Sequence, residues 1–219
     1  MKSSCELCFE IQSGRMPAQH GSRLRHHVPV GSALIFAALT PLRAGHVLVI
    51  PREHTTSTAA LAPAARDDVA DALALLARSW CDPGRRLLTF EHGIRPGDDG
   101  GCGIAHAHVH ALDVSDAEHE RIIAAARTLP GEQTWEGPAR GDELAHESYV
   151  HVGDWQRGTG FGATGEFPSQ TLRRLVAPQL GSDRVDWRVS SGWDDLHTTD
   201  RALVQRFPSA VGSAVGHAG

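Results

Sequence analysis

A chain of 219 residues, 41% hydrophobic and 21% charged, has the composition of one globular domain or two small ones, which excludes collagen, coiled coil and disorder throughout. The net charge of −5, from 21 basic and 26 acidic residues, gives no field that draws nucleic acid or an anionic bilayer. The longest apolar runs, 33–39 and 47–50, fall far short of the roughly 20 residues of a membrane span, and 14 histidines point instead to metal or proton chemistry with a small ligand.

The start of the chain lacks an apolar stretch followed by a cleavage site, so a cytoplasmic location is expected. Residues 1–30 are polar, and there only Cys5 and Cys8 suggest local order. The apolar run 33–39 predicts a buried strand ended by Thr40-Pro41, and 46–50, closed by Pro51, predicts its hairpin partner. Leu61, Ala65, Val69, Leu73, Leu76 and Trp80 recur every three or four residues, the period of an amphipathic helix, and Asp82-Pro83-Gly84 stops it. Two further strands are predicted at 87–91 and 105–113, joined by the glycine-rich segment 97–103. Ser115-Asp116-Ala117-Glu118 is a capping box that opens a short helix. Residues 129–148 read as a connection, 148–152 as a strand, 157–165 as a glycine-rich loop and 168–180 as a helix with Pro168 near its start. Residues 209–219 are small and aperiodic, as in a flexible tail.

His106, His108 and His110 alternate with Ala107, Val109 and Ala111. On a strand, residues at this spacing share a face, so the imidazoles stand in a row while the small apolar residues meet the core. A metal-binding tract on a solvent-facing strand would carry the same pattern. Cys5 and Cys8 read either as a metal-ligand pair or as a redox pair, although no thioredoxin-like strand precedes them.

His106-Ala107-His108-Val109-His110 resembles the signature of the histidine triad (HIT) family. Cys5-Glu6-Leu7-Cys8 and the stretch from Gly45 to His54 extend the resemblance over about the first half of the chain. The resemblance implies an α+β fold, a HIT-like five-stranded antiparallel sheet with packed helices. That core would occupy 1–115, with an extension over 116–208 and the tail beyond. It also implies a hydrolase or nucleotidyl transferase acting on a phosphoanhydride or phosphoramidate of a nucleotide-like small molecule. His108 would be the nucleophile, and His110 and His46 would orient it or contact phosphate oxygens. In zinc-containing members the metal is held at the positions of Cys5, Cys8, His54 and His106, a closed Cys2His2 set of the structural kind. HIT proteins commonly form homodimers through strand or helix edges, an interface that the extension here could replace or modify.

Three departures concern the substrate. Where nucleoside-binding members carry an Asp that accepts the ribose hydroxyls, this chain has Ala38. Their Gly-Gln-Ser, whose polar side chains contact the phosphate or leaving group, is replaced by Gly101-Cys102-Gly103, where backbone N–H groups could still bind an anion. Glu91-His92-Gly93 replaces Asn-x-Gly, so Glu91 and His92 are either an acid–base pair or an ordinary strand end. In the extension, Gln170 and Arg173 open a helix after a glycine-rich loop, which suits an anionic group of the substrate and also describes many exposed helix starts. Two other readings stay open: a specialised biosynthetic enzyme on a non-standard substrate, and a zinc-stabilised binding module without turnover.

Overall fold

The computed structural model describes residues 5–97, 103–208 and 210. Gly101, Cys102 and nearly all of the predicted tail lie outside them. In chain order the elements are α1 (Glu6–Ser13), β1 (His27–Val30), β2 (Ala33–Ala37), β3 (Val47–Pro51), α2 (Pro63–Ser79), β4 (Arg86–Gly93) and β5 (Val109–Val114). The chain continues with α3 (Asp116–Ala126), β6 (Gln133–Glu136), β7 (Tyr149–Asp154), β8 (Thr159–Thr164), α4 (Thr171–Gln179) and α5 (Trp193–Arg206). Among the described residues no helix is long and apolar enough to cross a membrane.

The expected hairpin forms, with Ile35 opposite Val49, and Pro51 ends its second strand. Helix α2 has Pro63 at its first position and buries Val69, Ala72, Leu73 and Leu76. At the start of α3 the Ser115 hydroxyl accepts from Glu118 N–H at 3.2 Å, and the Glu118 carboxylate accepts from Ser115 N–H at 2.8 Å. Helices α1 and α5 were not predicted, and α4 begins three residues later than Pro168.

The fold is α+β, but the sheet has eight antiparallel strands rather than five, in the order β1-β2-β3-β5-β4-β7-β8-β6. The first five strands of that order belong to residues before 116; the extension adds three more. It pairs β7 along the outer edge of β4, Phe90 opposite Val152, so that edge is covered within the chain. The stretch read as a glycine-rich loop is largely β8. Its Gly162 lies under the Trp135 ring, where a β-carbon would come within 2.0 Å of the indole, so the glycine marks close packing rather than a turn. Gly162→Ala is therefore expected to destabilise the extension by about 1–3 kcal/mol, read as a lower urea midpoint; an unchanged midpoint would contradict this packing.

One face of the sheet, with Ile35, Ala37, Val47, Val49, Leu87, Val109 and Ala111, packs under α2 and α5. The other face carries Leu34, Phe36, Ala38, Leu48 and Ile50 against Leu7 of α1. Farther along the same face, Leu88, Phe90, Leu112, Val150 and Val152 pack with residues of α3 and α4. The histidines lie on this second face, between its two apolar clusters.

Candidate active site and metal cluster

The ladder of β5 starts at Val109, so His106 and His108 precede it and only His110, opposite Leu48 and Phe90, is a strand residue. The alternation survives nonetheless: Val109 and Ala111 enter the core under α2, and all three histidines are buried on the other side. The approach to the strand is held by Ala107 N–H, which donates to the Thr55 carbonyl at 2.6 Å.

Hydrogen-bond partners fix the tautomers. His108 Nδ1 lies 2.7 Å from the His106 carbonyl oxygen, which can only accept, so Nδ1 carries the proton and Nε2 the lone pair. Leu42 N–H donates to His46 Nδ1 at 3.0 Å, which leaves the proton of His46 on Nε2 to donate to His110 Nδ1 at 2.9 Å. The proton of His110 is thereby placed on Nε2, a buried donor with no hydrogen-bond partner among the described residues. The His110 ring stacks on Phe90 at 4.4 Å and meets the His108 ring edge-on at 5.0 Å.

All three imidazoles are held neutral. Burial lowers the pKa of His108, partly opposed by its bond to the His106 carbonyl, and burial lowers His46 and His110 well below the ordinary 6.5. The Arg173 charge acts in the same direction on all three. Below pH 6.5 the unfolded chain takes up protons at these positions while the folded chain does not, so folding stability falls as pH falls. For His46 and His110 the expected slope is up to about 1.4 kcal/mol per pH unit each, until their depressed values are reached. Urea midpoints at about pH 7.5 and about pH 5.5 check this; equal stability at the two would contradict it.

Neighbours on a strand point to opposite faces, and Glu91 and His92 are accordingly separated. His92 lies on the histidine face, edge-on to Phe167 at 6.0 Å, with a buried Nδ1 that has no partner among the described residues and a pKa lowered to about 4 by burial. Glu91 lies on the α2 side. It accepts from Thr58 N–H at 2.7 Å, Thr58 Oγ1 at 2.5 Å and Tyr149 Oη at 2.7 Å, while burial raises its pKa. This carboxylate ties the turn at 58–60 and β7 to β4, and the two residues are not an acid–base pair beside the triad.

Gln170 and Arg173 are engaged with the chain itself. Gln170, with φ of 66°, donates from Nε2 to Asp186 Oδ1 at 2.6 Å, and its Oε1 accepts from Trp187 N–H at 3.1 Å. Arg173, fully buried, donates from Nη2 to the carbonyls of Thr40 at 2.9 Å and Arg184 at 2.8 Å. Both therefore position the segment between α4 and α5, whose Thr40 and Pro41 contacts place it beside the histidine face. Nothing in its aperiodic sequence signals this. Ala38 is packed among Leu7, Phe36, Leu48 and Ile50, an apolar setting with no acceptor of its own for a sugar hydroxyl.

Cys5 and Cys8 converge with His54 and His106 as the resemblance implies: one ligand atom from each lies within 4.8 Å of all the others. Cys5 caps α1, its thiol accepting from Cys8 N–H at 3.4 Å, so the helix start brings the two sulfurs together. His106 donates from Nε2 to the Pro51 carbonyl at 2.9 Å, which leaves the Nδ1 lone pair facing Cys5 Sγ at 3.5 Å and Cys8 Sγ at 3.4 Å. His54 Nδ1 lies 3.2 Å from Cys8 Sγ. Without a cation, burial and the neighbouring Cys5 push the Cys8 thiol up to about 11. Two sulfurs and two imidazole nitrogens within 4.8 Å of one another are a donor set that could hold a metal ion.

The search of curated proteins finds no similar sequence. Among solved structures, a protein described as hypothetical from Leishmania major is 25% identical, with a TM-score of 0.41, over 53% of this chain and 77% of that one. The model of the HIT domain family matches residues 30–116, which contain β2 to β5, His46, His54 and all three alternating histidines. Over residues 30–116 this chain is thus similar to the HIT domain family.

Proposed function

We propose that the HIT domain cleaves a phosphoanhydride or phosphoramidate of a nucleotide-like substrate through a covalent intermediate on His108. The observation that carries this reading is the 2.7 Å bond from His108 Nδ1 to the His106 carbonyl, which leaves a neutral Nε2 lone pair as nucleophile. Nε2 attacks phosphorus in line, the bond to the leaving oxygen or nitrogen breaks, and the leaving group takes up a proton from solvent. The positive charge that His108 gains is stabilised at Nδ1–H by the same carbonyl. Water or an acceptor hydroxyl then attacks phosphorus and gives up its proton to solvent, the phosphorus–nitrogen bond breaks, and neutral His108 returns. The Nε2–H of His110, kept a donor by the chain through His46 to Leu42 N–H, is available to a phosphate oxygen beside His108.

Zinc is the metal proposed for Cys5, Cys8, His54 and His106, in a structural role: with all four positions filled by protein it fastens α1 to the sheet and contributes no open coordination site. The apolar surroundings of Ala38 favour a second feature of the substrate, a group other than an unmodified ribose at that end. Turnover of adenosine 5′-phosphoramidate, a dinucleoside polyphosphate and a nucleotide sugar tests the reading. Release of a nucleoside monophosphate or its transfer to an acceptor is expected, and no cleavage at phosphorus in any of them would contradict it.

A further inference from the structure

We propose that Arg188 is a phosphate-binding residue of the HIT site, delivered by the C-terminal extension into the side-chain space left open at Gly103. The proposal rests on the reading of this site as one that acts at phosphorus.

Gly103 lies three residues before His106, with φ of +88°. A β-carbon there would come within 1.8 Å of Arg188 Nη2 and 2.6 Å of Cζ, so the guanidinium occupies the volume that a side chain at 103 would fill. The glycine is therefore a space into which a cation from a distant part of the chain is laid.

The arginine sits on a built platform. Gln170 grips both Asp186 and Trp187, and Arg188 N–H donates to Asp186 Oδ1 at 2.9 Å. Thr40 Oγ1 donates to the Trp187 carbonyl at 3.0 Å, and Arg184 donates to the Pro41 carbonyl at 3.0 Å, which fixes the segment to the end of β2. The guanidinium stacks over Trp187 at 5.2 Å, whose ring centroid lies 6.1 Å from that of His20.

The charge itself is little used. Among the described residues the carboxylate within ion-pair reach is Asp186, at 4.0 Å, and its Oδ1 already accepts from Gln170 and Arg188 N–H. With 44% of the side chain exposed, the planar fork keeps N–H donors for a tetrahedral oxyanion, the geometry that arginine serves better than lysine. The ligand class is thus a phosphate group, and the residue recognises its non-bridging oxygens.

Calorimetric titration of the full chain with inorganic phosphate and with adenosine monophosphate tests the proposal, using wild type, Arg188→Ala and Arg188→Lys. Both ligands should bind at least about tenfold more weakly to R188A, with partial recovery in R188K, because the charge returns without the fork. Melting temperatures should stay close to wild type, since the side chain is half exposed; if R188A fails to fold, R188K alone must show the weakened binding. Wild-type affinity in the variants, or no binding of either ligand by wild type, would overturn the proposal. Loss of phosphate binding in R188A from a protein that forms no adduct on His108 would support the proposal and count against the phosphoryl-transfer reading alone.

Discussion

Replacing His108 by alanine is expected to lower turnover by about a thousandfold or more, with little change in folding stability. Among the described residues, the substitution removes the one group for which the hydrogen bonding fixes a lone pair on Nε2 next to a donor on the neighbouring ring. Losses of this size follow when a nucleophile is removed, because the residual rate comes from binding and oxyanion contacts alone. His110→Ala should cost less, about tenfold to a hundredfold, since it removes one donor to the phosphate and leaves the nucleophile in place. Steady-state kinetics with the fastest substrate check both. An H108A enzyme within tenfold of wild type would mean that another group attacks phosphorus.

Removal of the proposed metal is expected to have the largest effect on stability. Helix α1 has eight residues, too few to persist alone, and it holds to the sheet through Leu7, the Glu10–Arg25 pair and the Cys5–Cys8–His54–His106 cluster. Arg25 donates to both Glu10 oxygens, at 2.9 and 2.5 Å, and to the Ala37 carbonyl, so the ion pair survives only while α1 stays docked. Cys8→Ser or chelation should therefore abolish metal binding, lower stability by several kcal/mol and expose the amides of α1 to hydrogen exchange. The effect should reach the site, because His106 supplies both a proposed metal ligand and the carbonyl that orients His108. Zinc content by atomic emission, with urea unfolding of the loaded and chelated protein, decides the matter. Protein purified without chelator that holds no metal, or a C8S variant as stable as wild type, would contradict the assignment.

The parts of the fold that were legible in the sequence are those written locally. The hairpin of β2 and β3, the stripe of α2 and the capping box of α3 each depend on residues a few positions apart. The strand β8 was not legible, because Gly160 and Gly162 read as loop residues until Trp135 is seen to cover Gly162. β1 is short and contains Pro29, tolerable there because β1 is an edge strand of the sheet.

In the site, the shared face of the alternating histidines could be read from their spacing, whereas the Cys5–Cys8–His54–His106 set followed from the family resemblance, since only the fold brings residues so far apart in sequence together. Glu91 and His92 show the limit of adjacency as a guide: on β4 it separates them. Gln170 and Arg173 were picked out as anion ligands at a helix start, and in the fold the backbone carbonyls of Thr40 and Arg184 accept from Arg173 Nη2 while Asp186 accepts from Gln170 Nε2. Arg188 carried no local signal, because its relation to Gly103 is made by the packing of the extension and not by any motif.

The central claim is the covalent intermediate, and intact mass with fragment localisation tests it most directly. Wild-type protein mixed with a cleavable nucleotide substrate and rapidly quenched at alkaline pH, where a phosphoramidate survives, should gain the mass of one nucleotidyl group, localised to His108. The adduct should be lost in acid and absent from H108A. Turnover with no adduct under rapid quenching, or an adduct localised to His46 or His110, would contradict the account.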